Sequence, residues 1–117
     1  MLEYCSPVFH NALPDYLRND LEYVQKRALS IISPGNSYTK NLELFNLSSL
    51  YVRRSELCSK FFNRIITDKS NKLYQLIPPK HIPKYNLRHK PKFDLSYIST
   101  NRFLNTFIPA MSRSHDY

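Results

Sequence analysis

Glycine is almost absent from this chain, with Gly35 the only one in 117 residues. Tight β-hairpins need backbone positions with positive φ, which glycine supplies most readily. Glycine-rich loops also cradle phosphate groups in many nucleotide-binding sites. The shortage therefore argues against hairpin-rich β folds and against a glycine-loop nucleotide site. Hydrophobic residues make up 42% of the chain and charged residues 22%, as in ordinary globular domains, so a single folded domain is expected.

Cysteine is scarce, and long apolar runs are missing. Cys5 and Cys58 lie far apart without neighbours at metal-ligand spacing, which argues against a disulfide framework and a zinc site. No run reaches the ~18 apolar residues of a transmembrane helix. The opening "MLEYCSPVFH" is acidic and too short for a signal peptide. We therefore expect a cytoplasmic or nuclear protein, or both, with no membrane partner.

Recognisable catalytic groups are missing as well. The four histidines are scattered and the five aspartates are isolated, so neither a nucleophile with its base nor a two-metal carboxylate site can be assembled. The phosphate-loop and dinucleotide-binding motifs are absent too. The sequence predicts no enzymatic activity, no metal, no cofactor and no small-molecule substrate.

Acidic residues are few in the second half of the chain. Residues 1–58 carry six acids and six bases, whereas residues 59–117 carry three acids and eleven bases, so the net charge of +8 lies entirely after residue 58. Charge segregated in this way favours a polyanionic partner, RNA or DNA, for the C-terminal half. The alternative is a basic tail that has no partner.

What the sequence does contain is helical apolar spacing. It predicts a mainly α fold, with two long and two short helices in a helical region over residues 1–77. A basic, proline-punctuated extended tail over residues 78–117 packs on or beside that region, with room for one short strand pair. The expected elements are long helices over Leu13–Ile32 and from a Ser48 or Ser49 cap to about Thr67, short helices over Tyr38–Phe45 and Asn71–Ile77, a strand over Arg102–Phe107 and a helical turn opening at Pro109.

The segment "DLEYVQKRALSII" (20–32) combines this spacing with the adjacent bases Lys26 and Arg27. Both bases lie off the apolar stripe of the helix, which favours a solvated polar face over a helix that grips phosphate. A core shared by the two long helices is expected, and its predicted members are Leu21, Val24, Leu57 and Phe61.

Bases and aromatics alternate in the tail. The stretch "PPKHIPKYNLRHKPK" (78–92) holds five bases and no acid, and its prolines exclude a regular helix. Lysine and arginine neutralise phosphates, and Tyr85 or Phe93 can stack on exposed bases. The alternative is that Tyr85, Phe93 and Tyr97 fold back onto the helical core.

Arg53 and Arg54 form a second basic patch, unless they pair with Glu56 or Asp20. The residues predicted to contact nucleic-acid phosphates are Lys80, Lys84, Arg88, Lys90, Lys92, Arg102, Arg53 and Arg54.

Five segments, in order, resemble the region downstream of the reverse transcriptase domain in LINE-type (non-LTR), jockey-like retrotransposons. They are the "LEYCSPVF" opening, the "LP" to "VQKR" helix ending in Ile31-Ile32, "LYVRRSELCSKFFNRI", "YNLR" and "TNRFLNTFIP". The resemblance covers almost the entire chain. Phe9 departs from it, because the family usually has tryptophan there, and so does the ending "MSRSHDY", where the family continues with a Trp-Asn pair. The Tyr-x-Asp-Asp strand of the polymerase palm is absent.

The resemblance implies a non-catalytic, nucleic-acid-associated C-terminal fragment of an RNA-directed DNA polymerase, which contacts the RNA or DNA backbone through its tail. A second hypothesis is a protein-interaction or structural module whose apolar Leu2–Phe9 segment docks on the polymerase domain of the same element. A third is a decayed fragment without function.

Overall fold

A computed structural model describes residues 3–82, 84–85, 88, 92–94 and 97–114 of the chain. The described residues are mainly helical, as predicted, and contain no β-strand. Helices α1 (Ser6–Phe9), α2 (Asp15–Ile32), α3 (Tyr38–Leu44) and α4 (Leu50–Thr67) precede α5 (Asn101–Leu104) and α6 (Phe107–Ser114). Short 3-10 helices cover His10–Ala12 and Lys72–Leu76.

The ends of the two long helices follow from local chemistry. Helix α2 begins directly after Pro14, whose fixed φ suits entry into a helix. It ends at Ile32, and Gly35 then turns the chain with a φ of 91°, a conformation that glycine adopts without steric cost. Helix α4 begins after Ser49, whose hydroxyl oxygen accepts the Val52 amide at 3.3 Å. Both predicted long helices are confirmed.

The two predicted short helices of the helical region are also present. Ser37 caps α3, and its side chain accepts the Lys40 amide at 3.4 Å. The segment predicted as a helix over Asn71–Ile77 is the 3-10 helix Lys72–Leu76. Asn71 caps it, because its side-chain oxygen accepts the Leu73 amide at 3.0 Å.

The core lies along one face of α4. Cys58 and Phe62 pack there against Phe93 from the tail and Met111 from α6. The prediction of a core shared by Leu21, Val24, Leu57 and Phe61 is wrong, since Leu57 is exposed and Val24 retains 49% of its accessible surface.

The buried face of α4 differs from the predicted one because a charged residue, Arg54, lies in the middle of it. The buried residues of α4 are Leu50, Arg54, Cys58, Phe62 and Ile65, at helical spacing. Apolar patterning places an arginine on a flank, and this moves the expected inner stripe toward Leu57 and Phe61. The buried stripe instead passes through Arg54, Cys58 and Phe62. Cys58 and Phe62 each follow a predicted residue by one position, which is a rotation of about 100° around the helix.

Helix α2 packs on the rest of the domain through a polar flank. Gln25 donates to the Ser48 carbonyl at 3.3 Å, and the Asn41 side chain donates to the Leu29 carbonyl at 3.4 Å. Leu29 is the only buried residue of α2. Lys26 and Arg27 are exposed, so the interpretation of these two bases as a solvated face is confirmed.

The C-terminal segment is more helical than predicted. Arg102–Phe107 was expected to be a strand, but its first three residues belong to α5 and Phe107 begins α6. The Thr100 side chain caps α5 by accepting the Phe103 amide at 3.4 Å. This bond gives a partner to an amide of the first turn and so favours a helix over a strand in this segment. Helix α6 then begins two residues before the predicted turn at Pro109 and packs Met111 into the core.

Candidate nucleic-acid interface

Residues 80–92, called the basic loop below, are held together at their two ends. Lys80 forms an antiparallel bridge with Phe93. The His81 amide donates to the Lys92 carbonyl at 3.1 Å, and the Asp94 amide donates to the Pro79 carbonyl at 2.7 Å. These bonds bring the first and last bases of the segment to neighbouring positions at the base of the loop.

Phe93 anchors this closed base to the helical core. Its side chain is 4% exposed and meets the Phe62 ring edge-on, with centroids 6.1 Å apart. The prediction that Phe93 stacks on nucleic-acid bases is therefore wrong, because its ring is buried against α4. Burying an aromatic side chain at the end of the loop fixes where the loop leaves the core.

The predicted phosphate-contacting residues of the loop are largely available to solvent. Lys80, Lys84 and Arg88 are exposed, and Lys92 is partly buried. Lys90 lies outside the described residues. Arg102 is exposed on α5, so it belongs to a different element from the loop.

Two tyrosines present their rings to solvent in this part of the chain. Tyr85, within the loop, is 77% exposed, as the stacking hypothesis requires. Tyr97 is 93% exposed, so the alternative that its ring folds back onto the helical core is wrong. The sequence alone does not distinguish these exposed tyrosines from the buried Phe93, because burial depends on which residue faces α4.

The loop carries no acidic side chain to offset its positive charge. Asp94 follows the loop, and its carboxylate lies 4.0 Å from the His81 ring nitrogen Nδ1. This pair marks the edge of the basic region. A segment of five bases closed by backbone bonds and free of acids is electrostatically suited to phosphate groups.

Arg53 already has an acidic partner within the chain. Its Nε lies 2.9 Å from a Glu3 carboxylate oxygen, and Nη2 donates to the other at 3.2 Å. The alternative considered for Arg53, an ion pair with Glu56 or Asp20, is wrong in its partner, since Arg53 pairs with Glu3. Arg53 is a weaker candidate for phosphate contact than the loop residues, because a phosphate would have to compete with Glu3.

Arg54 is fully buried, so the prediction that it contacts phosphate at the surface is wrong. Its guanidinium nitrogens have no hydrogen-bond partner among the described residues. Burial and the positive charges of Arg54 and Arg18 lower the pKa of His10. Burial raises the pKa of the Cys58 thiol, an effect that Arg54 opposes. The second basic patch is thus a structural feature of the helical region.

A second candidate site is an open apolar groove of about 710 Å³. Its lining residues include Val8, Phe61, Leu76, Phe103 and Phe107. Val8 and Leu76 expose most of their side chains, and Val8 belongs to the segment predicted to dock on a polymerase domain. Leu2, the first residue of that segment, lies outside the described residues.

Comparison of the chain with protein-family models, with curated proteins and with solved structures finds no match. Among the described residues, no group of three or more histidine, cysteine or acidic side chains could hold a metal ion. No helix in the same residues is long and apolar enough to cross a membrane.

Proposed function

We propose that this chain binds the phosphate backbone of RNA or DNA through the basic loop, as a non-catalytic C-terminal region of a LINE-type reverse transcriptase. The order of five matching sequence segments supports the family assignment. The observation that carries the binding function is the geometry of residues 79–94. Residues 80–92 carry five bases and no acid, their two ends are joined at the Lys80–Phe93 bridge, and Phe93 is buried in the core.

Anchoring the basic loop to the core through Phe93 favours binding, because a loop held at both ends loses less conformational entropy on binding than an unanchored tail. Lys84 and Arg88 lie in the middle of the loop and are exposed, so they can approach phosphates without repacking the core. Tyr85 lies beside Lys84 and supplies a ring for stacking on an unpaired base, which favours single-stranded segments.

The test is a pair of charge-matched double variants. Lys84→Glu/Arg88→Glu inverts two bases of the loop, and Lys26→Glu/Lys40→Glu inverts two exposed bases on α2 and α3. Both change the net charge equally. Binding of mixed-sequence RNA and DNA is measured from low to moderate salt, with circular dichroism to check the fold.

For the wild-type chain, five phosphate contacts predict a slope of log K against log salt of about −4 to −5 on duplex DNA. The loop variant should lose binding at moderate salt, whereas the control variant should keep most of it. Equal losses in the two variants would mean that net charge alone causes binding. Absence of binding by the wild-type chain at low salt would refute the proposal.

A second candidate function is docking on another protein domain, which the apolar groove favours. Exposed apolar side chains around a groove are characteristic of protein interfaces. We propose the polymerase domain of the same element as the occupant, because the chain resembles the region that follows that domain.

Val8→Asp should weaken association with a separately expressed polymerase domain, since an apolar anchor in an interface often contributes about 2 kcal/mol or more. The loop variant Lys84→Glu/Arg88→Glu should retain this association. If the loop variant loses the association and Val8→Asp keeps it, the groove is not the docking surface.

A further inference from the structure

Helix α2 carries a regular apolar stripe that the domain leaves largely uncovered. Its members recur at steps of four, three, four and three residues and are Leu17, Leu21, Val24, Ala28 and Ile31. Val24 is 49% exposed and Ile31 is 72% exposed. Leu17 and Ala28 are exposed too, and only Leu21 is partly covered.

The stripe is uncovered because α2 contacts its neighbours through a different flank. The residues that make those contacts are Arg18, Glu22, Gln25 and Leu29. At about 100° per residue, this flank lies roughly 100° around the helix from the stripe. The polar flank is thus used for packing inside the domain, whereas the apolar face points away from it.

Steps of four and three place the stripe at the a and d positions of a heptad pattern, which is the pattern of a helix that pairs with another helix. Leu17, Val24 and Ile31 occupy d positions, and Leu21 and Ala28 occupy a positions. Asp20 and Arg27 are then the two g positions, on the edge of the stripe opposite the packed flank. Both are exposed.

We propose that the stripe of α2 packs against the α2 stripe of a second copy of this chain, with the two helices antiparallel. In an antiparallel pair the a positions of one helix face the d positions of the other, so Leu21 would meet Val24 and Leu17 would meet Ala28 of the other copy. Every contact then occurs twice, as in any two-fold symmetric interface.

The charges at the edge of the stripe support this orientation. In an antiparallel pair, g positions of the two helices face each other, so Asp20 of each copy meets Arg27 of the other. These charged contacts occur in the same register that places Leu21 against Val24 of the other copy. In a parallel pair, g positions face e positions, and these are Gln25 and Ile32. Only the antiparallel arrangement pairs opposite charges.

The interface is modest in size. Helix α2 has 18 residues, a length of about 27 Å, and one pair of such helices buries area near the lower end of specific interfaces, at roughly 1,200 Å² in total. We therefore expect a dimer with a dissociation constant on the order of 10–100 µM. The pairing does not depend on the proposed nucleic-acid function, since the basic loop is a separate element.

The experiment is sedimentation equilibrium of the full chain from about 5 to 500 µM, a range that brackets the expected dissociation constant. The wild-type chain should shift from monomer to dimer, and Val24→Glu/Ile31→Glu should remain monomeric with unchanged helical content. A wild-type chain that remains monomeric at the highest concentration overturns the proposal. So does a dimer that persists in the double glutamate variant.

Charge swaps test the orientation. Asp20→Arg and Arg27→Asp alone should each weaken dimerisation several-fold, because each creates two like-charge contacts. The combined variant Asp20→Arg/Arg27→Asp should restore the wild-type constant, and an equimolar mixture of the two single variants should form a heterodimer in preference to either homodimer. Failure of both the combined variant and the mixture to restore dimerisation excludes the antiparallel arrangement.

Discussion

Glu22 accepts a 2.6 Å hydrogen bond from the backbone amide of Tyr51. Tyr51 lies in the first turn of α4, where amides have no partner inside the helix and a negative charge is favourable. The second oxygen of the same carboxylate accepts the Tyr38 hydroxyl at 3.0 Å. One side chain therefore connects α2, α3 and α4.

Removing this carboxylate should destabilise the domain. Glu22→Ala leaves the Tyr51 amide and the Tyr38 hydroxyl without their acceptor, so we expect a loss of about 1.5–3 kcal/mol in the free energy of unfolding. Urea denaturation measures it. Glu43→Ala removes an exposed acid from α3 and should change stability by less than about 0.5 kcal/mol. Equal effects of the two variants would mean that the Glu22 contacts contribute nothing specific.

The same contact predicts a dependence of stability on alkaline pH. Burial, the hydrogen bond to Glu22 and its negative charge raise the pKa of Tyr38 from 10.0 to about 12. The folded chain therefore binds this proton more tightly than the unfolded chain. The resulting stabilisation is complete below pH 10 and is lost as the pH rises from 10 to 12.

Replacing Tyr38 by phenylalanine should remove that part of the alkaline instability. The difference in unfolding free energy between the wild-type chain and Tyr38→Phe should narrow as the pH rises above 10. Tyr23→Phe, which removes an exposed hydroxyl from α2, should follow the wild-type curve. A constant difference between the wild-type chain and Tyr38→Phe across this range would contradict the assigned contact.

Phe93 provides a test of whether the loop is anchored or free. Phe93→Ala should destabilise the domain by about 3–5 kcal/mol, as expected for a buried ring, and calorimetry or urea denaturation would detect it. Tyr85→Ala, at an exposed position of the loop, should change stability by less than about 0.5 kcal/mol. If Phe93 instead served to stack on bases, its replacement would weaken binding and leave the folded domain intact.

Sequence periodicity predicted the helices well because caps and breakers lie close to the segments that they delimit. Ser37 and Ser49 act on amides three residues away, so a local pattern contains the information needed. Burial of Phe93 was not predictable in this way. Its partner Phe62 is distant in the chain, and nothing in the alternation of bases and aromatics distinguishes Phe93 from Tyr85 or Tyr97.

The apolar pattern of the sequence also did not predict which faces of the two long helices pack inside the domain. Apolar spacing correctly predicts an apolar stripe along α2. It does not predict that α2 contacts the rest of the domain through Glu22 and Gln25 on another flank. Hydrogen bonds from α2 to the start of α4 determine which flank of α2 packs. These are tertiary contacts, so the apolar pattern of one helix does not reveal them. Arg54 illustrates the same limit, since a charged residue is rarely buried.

Arg54 gives the last prediction. The Arg54 guanidinium is removed from water, and none of its nitrogens has a hydrogen-bond partner among the described residues. Its desolvation is therefore not offset by hydrogen bonds to them, which is unfavourable. Methionine matches the unbranched side chain of arginine as far as Nε and carries no charge. Arg54→Met should therefore leave the stability unchanged or raise it by up to about 4 kcal/mol, as found when buried charged groups are replaced by apolar ones.

Arg53→Met is the matched control, since it removes the neighbouring charge and the exposed ion pair with Glu3, and it should cost less than about 1 kcal/mol. Urea denaturation at neutral pH compares the two variants with the wild-type chain. A loss of several kcal/mol in Arg54→Met would show that the buried guanidinium is stabilised by an interaction, and the same measurement repeated with added chloride or phosphate would show whether an anion supplies it.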